Sequence, residues 1–405
     1  MATPEEVAIW IGLDVGKTDH HTCVLNDDGD TLMDRPVTND QTDLERLIDT
    51  AAGHGQPGLA IDQPGSIAQL AIAVAASRGV PVAYIPGLVM RRAADLYPGE
   101  AKTDRRDAHV IADTARTRRG RIHWLDTQSD ELLDQLRVLN GFDIDLAADV
   151  VRLSNRLRDA LTSISPALER ALGERLHQPG IRDLLAKHPT PTALHSAGRA
   201  RIKRTISKRS PRLADKVTTT VMAALDAQTL TLPAETTFGR VIADLATEVD
   251  RTHARRDDLA TEIEEVFLAH PFGRLLVTMS GIGPRTGSRI LAEIGDGSRF
   301  ANGSKLAAYA GLAPVTRQSG SSLRSESKSR RGNHRLKNAM FLAAFASLRA
   351  DPASKAFYDR KRAQGKKHNA ALICLARRRC NVILAMLRDQ QPYQPRLPQD
   401  IPIAA

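Results

Sequence analysis

The sequence predicts two kinds of structure in one chain: a mixed α/β layer in the N-terminal third, and helices through most of the remainder. Three observations carry this. Short apolar runs ending in acids alternate with helical patterns as far as Trp124. Beyond it, apolar residues recur at three- and four-residue steps over stretches much longer than a strand. Positive charge then gathers late in the chain. From Gly320 to Arg388, 17 Lys and Arg stand against 3 Asp and Glu, whereas all 405 residues together carry a formal charge of only +10. The rest is therefore net acidic, and basicity concentrated in this way points to a nucleic-acid surface.

Taken in order, Val7 to Asp14 reads as a buried strand ending in an acid, and Gly16 and Lys17 turn the chain into a second strand, His20 to Leu25. Asp27-Asp28-Gly29-Asp30 is a hairpin signal before a third strand, Thr31 to Val37. Asp40 to Ala52 has helical spacing. Leu59 to Asp62 is a short fourth strand, again ending in an acid. Ile67 to Ser77 is an apolar helix and Val80 to Ile85 a fifth strand. Pro86 to Ala101, with Arg91 and Arg92, reads as a loop. Asp104 to Arg118 lacks Gly and Pro and repeats Ala108, Ile111, Ala112 and Ala115 at helical steps, with Thr103 where an N-cap belongs. Three antiparallel strands followed by βα units is the ribonuclease H-like arrangement.

The chemistry rests on acids. Asp104 and Asp107 are three apart and so share a face of their helix. Sites in α/β sheets form beyond strand ends, which is where Asp14 and Asp62 fall. Singly, each has a plain role: complementing a helix dipole, capping a strand, or starting the turn before Pro64. Four carboxylates at one point would repel unless they held cations. Oxygen donors without His or Cys suit Mg²⁺ or Mn²⁺. Such a site polarises a phosphodiester. Cys23, Cys374 and Cys380 are scattered without metal-ligand spacing, as in a reducing cytoplasm. Met1 to Glu6 carries no secretory pattern. No run approaches the roughly 18 apolar residues of a membrane helix.

Past Trp124, Glu131 to Arg158 and Val241 to Leu268 read as long amphipathic helices that pair as a coiled-coil arm. Gly173 to Pro233 is an excursion between them, basic around residues 199–216. Leu275 to Gly287 resembles a helix-hairpin-helix, with Gly281 and Gly283 letting backbone amides approach a phosphate. Lys305 to Leu312 is a short helix, and Ala313 to Ser322 a polar loop. The basic field beyond it includes Arg317, Arg324, Lys328, Arg330, Arg331, Arg335, Lys337, Arg377, Arg378 and Arg379, with few aromatics. Backbone contacts should therefore outweigh base stacking.

Asp14 in Gly-Leu-Asp-Val-Gly-Lys, Asp62, Lys-Thr-Asp104-Arg-Arg-Asp107-Ala, the Gly281-Ile-Gly283 turn, and Ala310-Gly-Leu-Ala-Pro314 followed by Gln-Ser319-Gly-Ser-Ser together resemble the DEDD transposases of the IS110 group of insertion sequences. The likeness covers nearly the whole chain. It implies a RuvC-like catalytic domain over 1–124, a coiled-coil arm over 125–270 with the basic insertion at about 173–233, a helical transposase domain over 271–390, and a tail over 391–405. It further implies that Asp14, Asp62, Asp104 and Asp107 hold Mg²⁺ or Mn²⁺ and that Ser319 attacks DNA, with Ser321 and Ser322 as neighbouring candidates. The implied partners are donor and target DNA, a bridge RNA that selects sites by base pairing, and further copies of the chain, from dimer to tetramer. The acids and the serine fall on different domains, so the resemblance also implies an active site shared between protomers. The implied location is the bacterial cytoplasm, at the nucleoid. Asp62 departs from the family, whose second acid is usually Glu, by one methylene. Two alternatives stay open: a junction-resolving nuclease that activates water and leaves Ser319 idle, and a nucleic-acid-binding protein with a dead catalytic domain.

Overall fold

The computed structural model describes residues 3–63, 66–97, 103–120, 122–125, 130–228, 230–319, 323–327 and 332–395. The chain divides into two compact units, Met1–Asp130 and Glu131–Ala405.

In the first unit the strands are β1 (Ile9–Asp14), β2 (Asp19–Leu25), β3 (Thr31–Thr38), β4 (Pro57–Ile61), β5 (Val82–Tyr84) and β6 (His123–Trp124), and the helices are α1 (Gln41–Ala52), α2 (Gln69–Ser77), α3 (Gly87–Ala94) and α4 (Asp104–Thr117). They form one sheet in the order β3-β2-β1-β4-β5-β6. The first three strands are antiparallel, β1, β4 and β5 are parallel, and β6 returns antiparallel to β5. β1 and β4 are apolar along nearly their whole length because both faces of the sheet are covered. On one face Ile9, Ile11, Leu13, Leu59 and Ile61 pack on Leu44, Leu47 and Ile48 of α1 and on Ala71 and Val74 of α2. On the other, Trp10, Ala60 and Ala83 pack on Ala108, Ile111, Ala112 and Ala115 of α4 and on Met90 of α3. Asp40 caps α1 by accepting from the Asp43 N–H. Two features depart from expectation. The stretch expected as a loop after Ile85 contains α3, and the two-residue β6 was not foreseen.

The second unit is mostly helical. Its elements are α5 (Glu131–Ile164), α6 (Pro166–Leu172), α7 (Pro179–Lys187), α8 (Pro191–Ser207), α9 (Ala214–Asp226), α10 (Glu235–Ala269), α11 (Pro271–Leu276), α12 (Pro284–Ile294), α13 (Gly303–Tyr309), the strands β7 (Val315–Ser319) and β8 (Leu323–Ser327), then α14 (His334–Ala350), α15 (Pro352–Ala363) and α16 (His368–Asp389). The long helices α5 and α10 lie side by side and span two apolar cores. One core holds Leu157 and Leu161 of α5, Ile242 of α10, and residues of α6–α9 such as Leu184, Ile202 and Val221. The other holds Leu136 of α5, Phe267 of α10, and residues of α11–α16 such as Leu291, Met340 and Ile383. Beside this second core Asp143 of α5, fully buried, accepts from Arg256 of α10 at 3.0 Å and from Arg289 of α12 at 2.5 Å. A buried carboxylate is tolerated there only because two cations and their hydrogen bonds answer it. Within the segment expected as a polar loop, Val315–Ser319 instead forms β7, which pairs antiparallel with β8 just beyond that segment.

Candidate active site

The acids of the first unit are brought to one end of the sheet by strand register and by one close helix contact. β1 and β4 are parallel neighbours with Leu13 opposite Ile61, so Asp14 and Asp62 come at corresponding positions where the two strands end. Both are half-buried. α4 runs antiparallel to β1. Near its start Arg105 meets Asp34 at 2.6 Å, in its middle His109 lies 3.5 Å from Cys23, and near its end Arg116 donates to the Asp27 carbonyl at 2.9 Å. Its N-terminus therefore points to the end of β1 that carries Asp14. Thr103 caps it, its hydroxyl accepting from the Arg106 N–H, and Asp104 and Asp107 occupy the first turn, the former exposed and the latter half-buried.

Gly12 makes this docking possible. A Cβ there would collide with the Ala108 carbonyl and, at 2.5 Å, with the Ala112 nitrogen, so only glycine lets α4 lie so close to β1. The neighbouring side chains hold the arrangement. His21, opposite Asp14 in the β1–β2 register, meets Asp34 at 2.7 Å, and Asp34 also takes Arg105. Burial pushes the Asp34 carboxyl up, but these hydrogen bonds and the Arg105 charge prevail and hold it below the usual range. Arg106 reaches back to the carbonyls of Ala94 at 3.1 Å and Tyr97 at 3.0 Å, tying the end of α3 to α4. Tyr97 donates to Asp113, which Arg116 also holds.

Sequence reasoning singled out the four acids and left this surrounding shell unassigned. Gly12 was the available signal, since glycine inside an apolar strand marks a close backbone approach. The donor set at this sheet end is carboxylate, which fits a hard divalent ion. Among the described residues, however, no three acids, histidines or cysteines stand close enough together to hold one.

The second unit supplies the other expected residues. Ser319 ends β7, opposite Leu323, and Arg317 and Arg324 lie in the same two strands. Ser321, Ser322, Lys328, Arg330 and Arg331 fall outside the described residues. Arg335 and Arg377 are exposed, and Lys337 is half-buried. Arg378 stacks over Phe357 at 5.0 Å. Arg379 does not fit the expected surface role. It is 2% exposed, donates to the Ser280 carbonyl at 2.6 Å, and is pushed down to about 10 by burial. Gly281 also faces inward, at φ 85°, where a Cβ would strike the Ala343 carbonyl of α14. Gly283 is exposed at the start of α12, with open space where a Cβ would stand.

Among known proteins, a family model for the DEDD transposase of IS110 matches residues 11–166, and one described as transposase IS116/IS110/IS902 family matches residues 273–359. The chain is 45% identical to a 43.6 kDa protein of insertion element IS110 of Streptomyces coelicolor, over the full length of both. It is 40% identical to a 42 kDa protein of insertion element IS900 of Mycobacterium paratuberculosis, covering 96% of this chain and 97% of that one. A pilin gene-inverting protein of Moraxella bovis is 36% identical over 125 residues, 30% of this chain and 39% of the other.

Proposed function

The chain belongs to the IS110 family of transposases, enzymes that cut and rejoin DNA, and on that footing we propose that Asp14, Asp62, Asp104 and Asp107 form its metal-dependent site and Ser319 its nucleophile. The observation that carries the reading is the docking of α4 on Gly12, which directs its two acids to the sheet end where Asp14 and Asp62 lie. When bound there, Mg²⁺ or Mn²⁺ supplies charge neutralisation at the attacking and leaving oxygens of a phosphodiester. The unit itself is the RuvC-like, ribonuclease H-like domain of the family.

The protein's own residues do the rest. The Ser319 hydroxyl attacks the scissile phosphorus, a P–Oγ bond forms, and the bond to a deoxyribose oxygen breaks, that oxygen leaving with a proton. A deoxyribose hydroxyl of the partner DNA then attacks the phosphoserine and releases Ser319. The linkage conserves the phosphodiester bond energy, which suits rejoining without repair. Arg317, Arg324, Lys328, Arg330, Arg331, Arg335, Lys337, Arg377 and the exposed backbone at Gly283 hold phosphates. They read backbone more than sequence, and a bridge RNA selects the sites. The working assembly is a dimer or tetramer, with α5 and α10 as its coiled-coil arm.

Asp104→Asn and Asp107→Asn should each abolish strand cleavage in Mg²⁺ while leaving nucleic-acid binding within a few fold. Full cleavage by both would sink the four-acid site. Ser319→Ala should bind DNA yet yield no denaturant-resistant protein–DNA adduct. Cleavage by the wild-type protein that never gives such an adduct would make water the nucleophile.

A further inference from the structure

Residues 191–216, from α8 to the start of α9, hold eight Lys and Arg against one Asp, and the proposed reaction uses none of them. The fold sorts these cations sharply. α8 is kinked at Gly198. Beyond the kink Ile202, Thr205 and Ile206 are buried, whereas Arg199, Arg201, Lys203, Arg204 and Lys208 are exposed. At about 100° per residue the three buried positions share one side, Arg201, Lys203, Arg204 and Lys208 spread over the other, and Arg199 stands at the border. Arg212 and Lys216, also exposed, continue the charge into α9, and Arg199 bridges to Thr219 of that helix at 3.0 Å.

One of the eight serves the fold. Arg209 meets Asp183 at 3.1 Å and Asp250 at 2.8 Å. Lys203 meets Asp215 at 2.5 Å, but both side chains are more than half exposed, and such a pair contributes little. The core beneath is apolar and closes without the others. Unanswered like charges on one face repel one another and disfavour the compact state, so this face is costly unless a polyanion covers it. Its field is felt nearby. Burial first, then the charges of Arg201 and Lys187, hold His188 below the usual histidine value.

We infer that this face of α8 and α9 is a second nucleic-acid surface, and that it holds the phosphate backbone of a double helix. The choice of a duplex follows from composition. Residues 165–226 contain no Phe, Tyr or Trp, so the module has no platform on which unpaired bases could stack. Phosphate neutralisation by a rigid cationic face remains.

The test uses the full-length protein, short random-sequence duplexes of DNA and of RNA, and the separated strands, each titrated with salt. The triple variant Arg201→Ala/Arg204→Ala/Lys208→Ala should keep the wild-type melting temperature. It should flatten the log–log salt dependence of duplex binding by roughly 2.7, about 0.9 for each phosphate no longer neutralised. Asp215→Asn, which frees Lys203, should tighten duplex binding. A flattened slope with DNA alone, RNA alone or both supports the surface and names its source. An unchanged slope with both duplexes, or a change confined to single strands, overturns it.

Discussion

Two arginines in the second unit are almost fully enclosed, and they are enclosed in opposite ways. Arg182, on α7, is 4% exposed and donates to Asp250 at 2.8 Å and to the carbonyls of Leu176 at 3.0 Å and His177 at 2.8 Å. Arg379, on α16, is 2% exposed, with one strong bond to the Ser280 carbonyl and a long one, 3.5 Å, to the Ser354 hydroxyl. Its Nε has no hydrogen-bond partner among the described residues. The first cation is neutralised and makes three good hydrogen bonds. The second has no direct ion pair among the described residues and only the weaker pull of Asp351 beyond Ser354, so burial prevails and pushes it down to about 10. A buried charge is worth what its partners give back, and burial alone says nothing about stabilisation.

Replacing each arginine by methionine tests that difference, and gives the largest effect of all. Arg182→Met should cost about 3–5 kcal/mol, because it leaves Asp250 short of a cation and two inner carbonyls without a donor. Arg379→Met should cost less, about 1–2 kcal/mol, since relief of a cation without a direct ion pair offsets part of the lost Ser280 carbonyl bond and of the lost attraction to Asp351. Chemical denaturation read by circular dichroism decides it. Equal losses at the two sites would end the distinction.

The same pair shows what the sequence made legible. Most strands and helices were readable because apolar period is a local property, and the positions of the acids were readable too, Asp14 and Asp62 where strands end and Asp104 and Asp107 in the first turn of α4. Arg379 was misread because three adjacent arginines look like one patch. A helix turns about 100° between them, giving one to solvent, one to Phe357 and one to the core. Arg182 drew no notice because its partner is 68 residues away. β7 and β8 were missed because Thr316-Arg317-Gln318-Ser319 lacks the apolar alternation of a half-buried strand. α3 was missed because Pro86 and Gly87 read as a turn, and β6 because two residues carry no period at all.

A smaller, pH-dependent effect sharpens the contrast. Burial first, then the charges of Arg182 and Arg256, hold His253 on α10 below the usual histidine value, against the weaker pull of Asp257 and Asp250. A base depressed in the folded state is protonated more readily in the unfolded one. Stability is therefore full above the unfolded value of about 6.5 and is lost as pH falls through it toward the lowered folded value. The wild type should melt progressively lower from pH 7.5 to 5.5, and His253→Gln should lose less over the same range. Parallel losses would mean that the Arg182 side carries no such linkage. Arg379 instead faces Asp351 and Tyr393, and burial with the Asp351 charge pushes Tyr393 up to about 12, so the tyrosine stays neutral throughout.

The smallest effect on stability belongs to the arginine that begins the same run of three. Arg377 is exposed and, among the described residues, makes no ion pair, so Arg377→Ala should leave stability within about 0.5 kcal/mol. Its effect belongs to binding. If it holds one phosphate, the log–log salt slope for nucleic acid should fall by about 0.7–0.9. Arg378→Ala should do less, because its guanidinium is engaged over Phe357. Arg379→Met should not change the slope at all, since a cation enclosed in the core displaces no counterion from DNA. A slope that falls equally for all three would mean that the arginines act as one surface patch, and that Arg379 is not enclosed when nucleic acid binds. A slope that none of them changes would assign α16 to packing and move the C-terminal phosphate contacts to Arg335 and its neighbours.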